Sequence, residues 1–251
     1  MRNLKLTIEY DGTNYHGWQI QPSVITIQET IQAALTKLTK TPTQILGAGR
    51  TDAGVHAAGQ VANFHTRSQM PEIAFQKGLN AILPRDIVIT AAKEVPSDFH
   101  ARFSATSRTY RYTILNREHP SAFLRNRAYF FPHPIDVRDA DAICRALVGT
   151  RDFSSFQRTD SDRINPVCEV YRSHCWREGD LIYFEIEADA FLRGMVRTIV
   201  GSVLKLRDCA DAVNQLYKML EARKRSAAGA SVPARGLFLM RVKYDKRVVP
   251  K

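Results

Sequence analysis

The sequence lacks the long apolar run that a membrane-spanning helix requires, because no stretch of its 251 residues approaches ~20 consecutive apolar residues. It is also poor in cysteine. Cys144, Cys168, Cys175 and Cys209 show no C-x-x-C spacing, so the usual zinc and disulfide frameworks are excluded. The first residues enter a strand-like run without the apolar core of a signal peptide. We therefore expect a cytoplasmic protein with reduced cysteines and no membrane partner.

Acidic residues are too few to balance the basic ones. The chain has 25 Asp and Glu residues against 36 Lys and Arg residues, which gives a formal net charge of +11. Its 44% hydrophobic content is ordinary for a folded protein of this length. A folded protein with such an excess of positive charge usually binds a polyanion, because phosphate contacts release counterions. The composition therefore favours a nucleic acid as the partner.

The common nucleotide, metal and nucleophile motifs are also missing. The glycine pair before Asp52 lacks the third glycine of a dinucleotide fingerprint, and no Walker lysine follows it. The chain contains no H-E-x-x-H and no G-x-S-x-G. Asp52 and His56 are four residues apart, with His65 and His100 downstream, but lone histidines are more often hydrogen-bonded structural residues. The remaining candidate is Asp52 as a lone carboxylate, either a nucleophile or a general base.

The segment Gly47–Ala57 carries this carboxylate between two glycines and two residues after Arg50. It precedes a strand-like run, Gln60–Thr66, so we expect a loop beside a strand, where rigid scaffolds often display reactive groups. A nearby Arg50 would favour the ionised carboxylate. A glycine-rich turn with Asp52 as a local capping residue is the structural alternative.

Two arginine patterns give further candidates. The run Ser104–Tyr112 interleaves arginine with tyrosine, which suits phosphate contact and base stacking. A half-exposed strand with Tyr110 packed as an ordinary strand residue explains it equally well. Arg193 and Arg197 are four residues apart in a predicted helix, Phe191–Leu206, so they share one stripe. That stripe either faces solvent or reaches Asp52 or a phosphate.

Alternating and helical apolar patterns predict an α+β fold. Thr26 and Glu29 form a capping-box pattern before one helix, and Pro71 is a first-turn residue for the next. The predicted strands are Leu4–Tyr10, Gln60–Thr66, Ile87–Val95, Thr109–Leu115, Val170–Trp176, Ile182–Ala188 and Gly236–Tyr244, and the predicted helices are Ile27–Leu38, Pro71–Ile82, Asp136–Val148 and Phe191–Leu206.

These elements divide into two halves of similar make-up, residues 1–105 and residues 106–251. Each half mixes strands with two predicted helices. Two irregular segments, Arg151–Val167 and Arg223–Arg235, are candidate substrate-facing loops.

At these motifs the chain resembles the TruA family of pseudouridine synthases. The segment Gly47–Ala57 matches that family's signature closely, and other matching segments follow in the same order along nearly the whole chain. They are Glu9–Gly12, Gly17–Gln19, Asp98–Ala105, Arg108–Tyr112, Met195–Gly201 and Gly236–Leu239.

The resemblance implies a homodimeric enzyme that acts on tRNA. It implies two similar α+β halves that share a mostly antiparallel sheet flanked by helices, with an active-site cleft between them. The implied reaction converts uridine to pseudouridine in the anticodon stem-loop, at tRNA positions 38–40, with no cofactor and no metal.

The resemblance also implies roles for five residues. Asp52 is the catalytic aspartate, Tyr110 lies against the target base and Arg197 pairs with Asp52. Arg50 helps to expel the uridine from its stack, and Leu237 lines the pocket. The sequence leaves open whether Asp52 acts on C1′, on C6 of the base or on the 2′-hydrogen of the ribose.

Overall fold

The computed structural model describes residues 1–159 and 165–245, which form two compact units. The first unit contains residues 1–108 and 238–245, and the second contains residues 109–159 and 165–237. The sequence-based halves group the closing strand with the C-terminal half, whereas in the structure it pairs with a strand of the first unit. As domain boundaries, the sequence-based halves stay a prediction.

The described residues form ten strands and five helices, which confirms the α+β class. The strands are β1 Arg2–Tyr10, β2 Leu46–Gly47, β3 His56–Thr66, β4 Ile87–Val95, β5 Ala105–Leu115, β6 Tyr129–Phe130, β7 Gly149–Asp152, β8 Val167–Glu178, β9 Leu181–Ala188 and β10 Leu237–Tyr244. The helices are α1 Ile27–Thr39, α2 Glu72–Ile82, α3 Val137–Arg145, α4 Met195–Leu206 and α5 Ala212–Glu221.

In the first unit the main strands lie in the order β4-β1-β3-β10, and β2 pairs with the other end of β3. β1 is antiparallel to both of its neighbours, and β10 is parallel to β3. Leu4, Leu6 and Ile8 are fully buried, as the alternation in the sequence predicts. The centre of this sheet therefore provides the rigid support from which the loop between β2 and β3 projects.

Two helices cover this sheet, and both were predicted from the sequence. Thr26 caps α1 by accepting a hydrogen bond from the Glu29 backbone N–H at 3.4 Å, as the capping-box pattern predicts. The buried face of α1 repeats at helical spacing. Pro71 is the N-cap of α2 rather than a residue of its first turn, so the helix begins one residue later than predicted.

In the second unit the strand order is β5-β9-β8-β7, with β6 beside β5. β8 and β9 form the predicted hairpin, closed between Glu178 and Leu181. Asp136 caps α3 by accepting hydrogen bonds from the Arg138 and Asp139 backbone N–H groups. α5 and the short strands β6 and β7 were not predicted. Most strand pairs in both units are antiparallel, as expected.

The helix predicted over Phe191–Leu206 is wrong at its start. Gly194 has φ of +73° and is the N-cap, so α4 begins at Met195. This left-handed backbone conformation suits glycine and stops the helix from extending backwards. Arg193 therefore precedes the helix, and the predicted stripe shared by Arg193 and Arg197 does not exist.

Three of the four cysteines are buried, and all four are free thiols, in line with the expected reduced cysteines. No described helix combines the length and apolar character needed to cross a membrane. Part of the irregular segment Arg151–Val167, residues 160–164, lies outside the described residues.

Candidate active site

The loop between β2 and β3 presents Asp52 half-buried at the surface of the first unit. The Val55 backbone N–H donates to the Asp52 carbonyl at 3.1 Å, which closes a turn directly after the carboxylate. Arg50, two residues earlier, is exposed. The structure thus confirms the expected loop beside a strand and places both side chains on it.

Polar groups from three other segments hold this loop. The buried Gln60 donates from Nε2 to the Gly49 carbonyl at 2.8 Å. The Trp18 backbone N–H donates to the Thr51 carbonyl at 3.0 Å, and the hydroxyls of Tyr10 and Thr51 lie 2.8 Å apart. A carboxylate on a loop fixed at so many points has a defined position before any substrate binds, which is the preorganisation that catalysis requires.

Gly17 packs against the backbone of Thr51 and Asp52. Its φ is +90°, and a Cβ built on it would lie 2.5 Å from the Thr51 carbonyl oxygen. We predict that Gly17→Ala lowers the free energy of unfolding by about 2–4 kcal/mol, through backbone strain plus this backbone clash. Urea denaturation of the variant and the wild type measures the difference.

Gly179→Ala is the matched control for this prediction. Gly179 also has a positive φ, of +57°, but nothing lies within 4 Å of a Cβ built there. The control carries only the conformational cost, about 1–2 kcal/mol. Equal losses in the two variants would show that the contact between Gly17 and the Asp52 loop contributes nothing.

The histidines near Asp52 in the sequence have structural partners. His56 is buried, and its Nδ1 accepts a hydrogen bond from the Gly12 backbone N–H at 3.1 Å. His65 Nε2 lies 3.3 Å from the Ser97 carbonyl, and His100 Nδ1 accepts a hydrogen bond from the Arg102 backbone N–H at 3.1 Å. Within residues 1–159 and 165–245, no three His, Cys, Asp or Glu side chains converge as a metal-ligand set.

The second unit contains the other predicted site residues. Tyr110 on β5 is 8% exposed and packs edge-to-face on Phe191, with ring centroids 4.9 Å apart. Leu237 is buried at the start of β10. Arg197 lies in the first turn of α4 and donates from Nε to the Val232 carbonyl at 2.7 Å. Because Asp52 belongs to the first unit, its pairing with Arg197 stays a prediction.

The two arginines of the Ser104–Tyr112 strand are hydrogen-bonded to other groups of the protein. Arg108 donates to the Arg102 carbonyl at 2.6 Å. Arg111 donates from Nε and Nη2 to the Glu185 carboxylate at 3.0 and 2.8 Å. Both guanidinium groups are thus held by other groups of the protein, and phosphate contact by them stays a prediction.

Tyr112 is a residue of this region whose role the sequence did not indicate. It is fully buried, and its hydroxyl donates to the Pro233 carbonyl at 2.7 Å. Burial raises the pKa of its phenol, and the positive charges of Arg197 and Arg235 act in the opposite direction. Tyr112 is therefore a neutral hydrogen-bond donor that fixes the chain just before β10.

The loop that carries Asp52 and the mostly antiparallel α+β units agree with the class that the sequence resembles, the pseudouridine synthases. A family model described as tRNA pseudouridine synthase matches residues 6–104 and 143–245, so the chain belongs to that family, whose members are isomerases.

Curated relatives agree over the full length. "tRNA pseudouridine synthase A" of Acetivibrio thermocellus is 45% identical over 244 residues, covering 97% of this chain and 100% of the relative. "tRNA pseudouridine synthase A 2" of Clostridium perfringens has the same identity and coverage. "tRNA pseudouridine synthase A" of Citrifermentans bemidjiense is 40% identical over 248 residues, covering 98% and 99%.

Proposed function

We propose that this protein isomerises uridine to pseudouridine in the anticodon stem-loop of tRNA, at positions 38–40, with Asp52 as its one catalytic carboxylate. The observation that carries the proposal is the half-buried Asp52 on a loop held by Gln60, Trp18 and Tyr10, in a chain that belongs to the tRNA pseudouridine synthase family. The net charge of +11 fits an RNA substrate.

The reaction needs no external reactant. The N1–C1′ bond of uridine breaks, the base turns and a C5–C1′ bond forms. C5 then loses its proton and N1 gains one, so atoms and electrons balance with no net oxidation. An ionised carboxylate at Asp52 serves as nucleophile towards C1′ or C6, or as the base that takes the 2′-hydrogen.

The neighbouring residues have supporting roles in this proposal. The target uridine must leave its stack, which costs a few kcal/mol. The exposed Arg50 helps to expel it, and Tyr110 and Leu237 receive the base against an apolar wall. Arg197 pairs with the Asp52 carboxylate and so helps to orient it.

A product-mapping experiment tests the proposal. We predict that the purified protein, given unmodified tRNA transcripts in EDTA, produces carbodiimide-dependent primer-extension stops at positions 38–40. Tritium release from C5-labelled uridine should follow the same time course, because C5 loses its hydrogen only when the new bond forms.

The other outcomes of this assay correspond to the alternative functions. Binding of tRNA without primer-extension stops or tritium release indicates a non-catalytic tRNA-binding module on the same fold. In a parallel reaction with Mg²⁺ in place of EDTA, strand cleavage without primer-extension stops or tritium release indicates a metal-dependent nuclease. Either result overturns the proposed isomerisation.

Homodimerisation and a cytoplasmic location are part of the same proposal. The dimer is supported by the family resemblance alone. Buried reduced thiols, such as Cys144 and Cys175, are typical of proteins in a reducing compartment.

A further inference from the structure

The second unit contains a cavity that the sequence did not predict. It has a volume of about 400 Å³ and is lined by Arg158, Thr159, Arg197, Arg225 and Ser231. We call it the arginine cavity. Pockets of ~300–1,000 Å³ hold small ligands. Three guanidinium groups and two hydroxyl side chains around one cavity indicate an anionic ligand, since arginine binds phosphate and carboxylate oxygens through paired N–H groups.

The guanidinium group of Arg225 is oriented by the chain that follows it. Its Nη1 donates to the Gly229 carbonyl at 2.9 Å, and its Nη2 lies 3.4 Å from the Ser231 hydroxyl. That hydroxyl is 2.8 Å from the hydroxyl of Thr198 on α4. Arg225 thus reaches the cavity from a fixed direction, and less side-chain entropy is lost when a ligand binds.

The segment 229–232 is itself bonded along α4. The Gly229 backbone N–H donates to the Ser202 hydroxyl at 2.8 Å. The Val232 backbone N–H donates to the Arg197 carbonyl at 3.2 Å, and Arg197 Nε donates back to the Val232 carbonyl. These bonds tie the segment that orients Arg225 to the helix that carries Arg197.

Arg158 approaches from a different segment and crosses the start of α4. Its backbone N–H donates to the Arg193 carbonyl at 3.0 Å. A Cβ built on Gly194 would lie 2.8 Å from Arg158 Cγ, so the missing side chain makes room for the stem of Arg158. The N-terminus of α4 adds positive partial charge beside the three guanidinium groups.

We propose that the arginine cavity binds one phosphodiester group of the backbone of the substrate RNA. A phosphate there would position the strand while the base leaves its stack, which is what backbone contacts do in nucleic-acid recognition. The identity of the anion as RNA rests on the proposed function, whereas anion binding by the cavity does not. Arg158 and Arg225 are therefore positioning residues for the substrate.

The test removes single charges on both sides of the contact. The probe is a synthetic anticodon stem-loop RNA in which the phosphates are replaced one at a time by methylphosphonate. We expect one replacement to weaken binding to the wild type by about tenfold, the effect of losing a charge-assisted hydrogen bond. Arg225→Gln should weaken binding of the unmodified RNA to a similar degree. The affinity of this variant should not fall further when that same phosphate is replaced by methylphosphonate.

Three comparisons keep the result interpretable. Arg138→Gln removes the same charge from a 94% exposed position on α3 and should retain the wild-type sensitivity. Arg225→Lys keeps the charge but loses the paired N–H groups, so its affinity for the RNA should lie between those of Arg225→Gln and the wild type. Arg158→Gln should repeat the Arg225→Gln pattern at the same or the adjacent phosphate.

Two different results separate this inference from the proposed function. If every replacement weakens binding equally in the wild type and in Arg225→Gln while the wild type still forms pseudouridine, the cavity does not hold a backbone phosphate.

If the wild type forms no pseudouridine, the proposed function fails, and inorganic phosphate becomes the probe for the cavity. Phosphate that protects the wild type, but not Arg225→Gln, against thermal unfolding supports the anion site, and equal protection overturns it.

Discussion

Asp52→Asn is expected to reduce pseudouridine formation by at least about 10³-fold, because removal of an essential nucleophile or base leaves only binding and positioning effects. The affinity for tRNA should stay close to that of the wild type, since the lost charge is negative and the arginines remain. Asparagine keeps the size of the side chain, and the turn closed by Val55 and the Trp18–Thr51 hydrogen bond involves only backbone atoms. Single-turnover tritium release, with enzyme in excess over tRNA, measures the loss at the chemical step.

Asp86→Asn is the matched control for this variant. Asp86 is also a half-buried carboxylate of the first unit, and it accepts a hydrogen bond from the Tyr15 hydroxyl at 2.6 Å. An asparagine oxygen there still accepts that bond, so the control should keep wild-type activity. A fully active Asp52→Asn would remove the carboxylate from the mechanism. Equal losses in both variants would indicate a general effect on the fold.

Local sequence patterns were sufficient for the elements whose neighbours in space are also neighbours in the chain. The alternation through Leu4, Leu6 and Ile8 predicted β1 because one side of that strand is buried along its whole length. Thr26 predicted the start of α1 because a cap is formed within three residues. β4 has the bounds that the sequence predicted, Ile87–Val95.

The start of α4 shows where such patterns fail. Phe191 and Leu192 continue the apolar spacing of the helix, so periodicity alone extends it backwards. The break depends on the positive φ of Gly194, and the packing of Arg158 across that glycine requires it. Arg158 is far away in the sequence, so no local window contains the reason.

Some residues of the candidate site could be identified from a short local motif, and others are brought together only by the fold. Asp52 and Arg50 were identified because one short motif contains both. The support beneath them comes from Trp18, Gln60 and Gly17, and the arginine cavity joins three separate segments of the second unit. Such convergence is a property of the folded chain, and a single sequence gives no sign of which arginines will meet.

Trp18→Ala is expected to lower both stability and the rate of the chemical step. Trp18 is 2% exposed, and a Cβ built on Gly47 would lie 2.6 Å from its indole, so the ring packs closely against the start of the Asp52 loop. Its removal should lower the free energy of unfolding by about 3–5 kcal/mol. Relaxation of the loop into the space should also lower kcat by about 10²-fold, since a displacement of about 1 Å has that effect.

Phe75→Ala separates these two effects. Phe75 on α2 is fully buried against Phe64 in the same unit, so its loss should cost similar stability. It does not support the Asp52 loop, and the kcat of the folded enzyme should remain at the wild-type value. Trp18→Phe, which restores most of the volume, should recover much of both losses. Equal kcat values for Trp18→Ala and Phe75→Ala, measured at a temperature at which both are folded, would mean that the indole stabilises the fold without positioning the carboxylate.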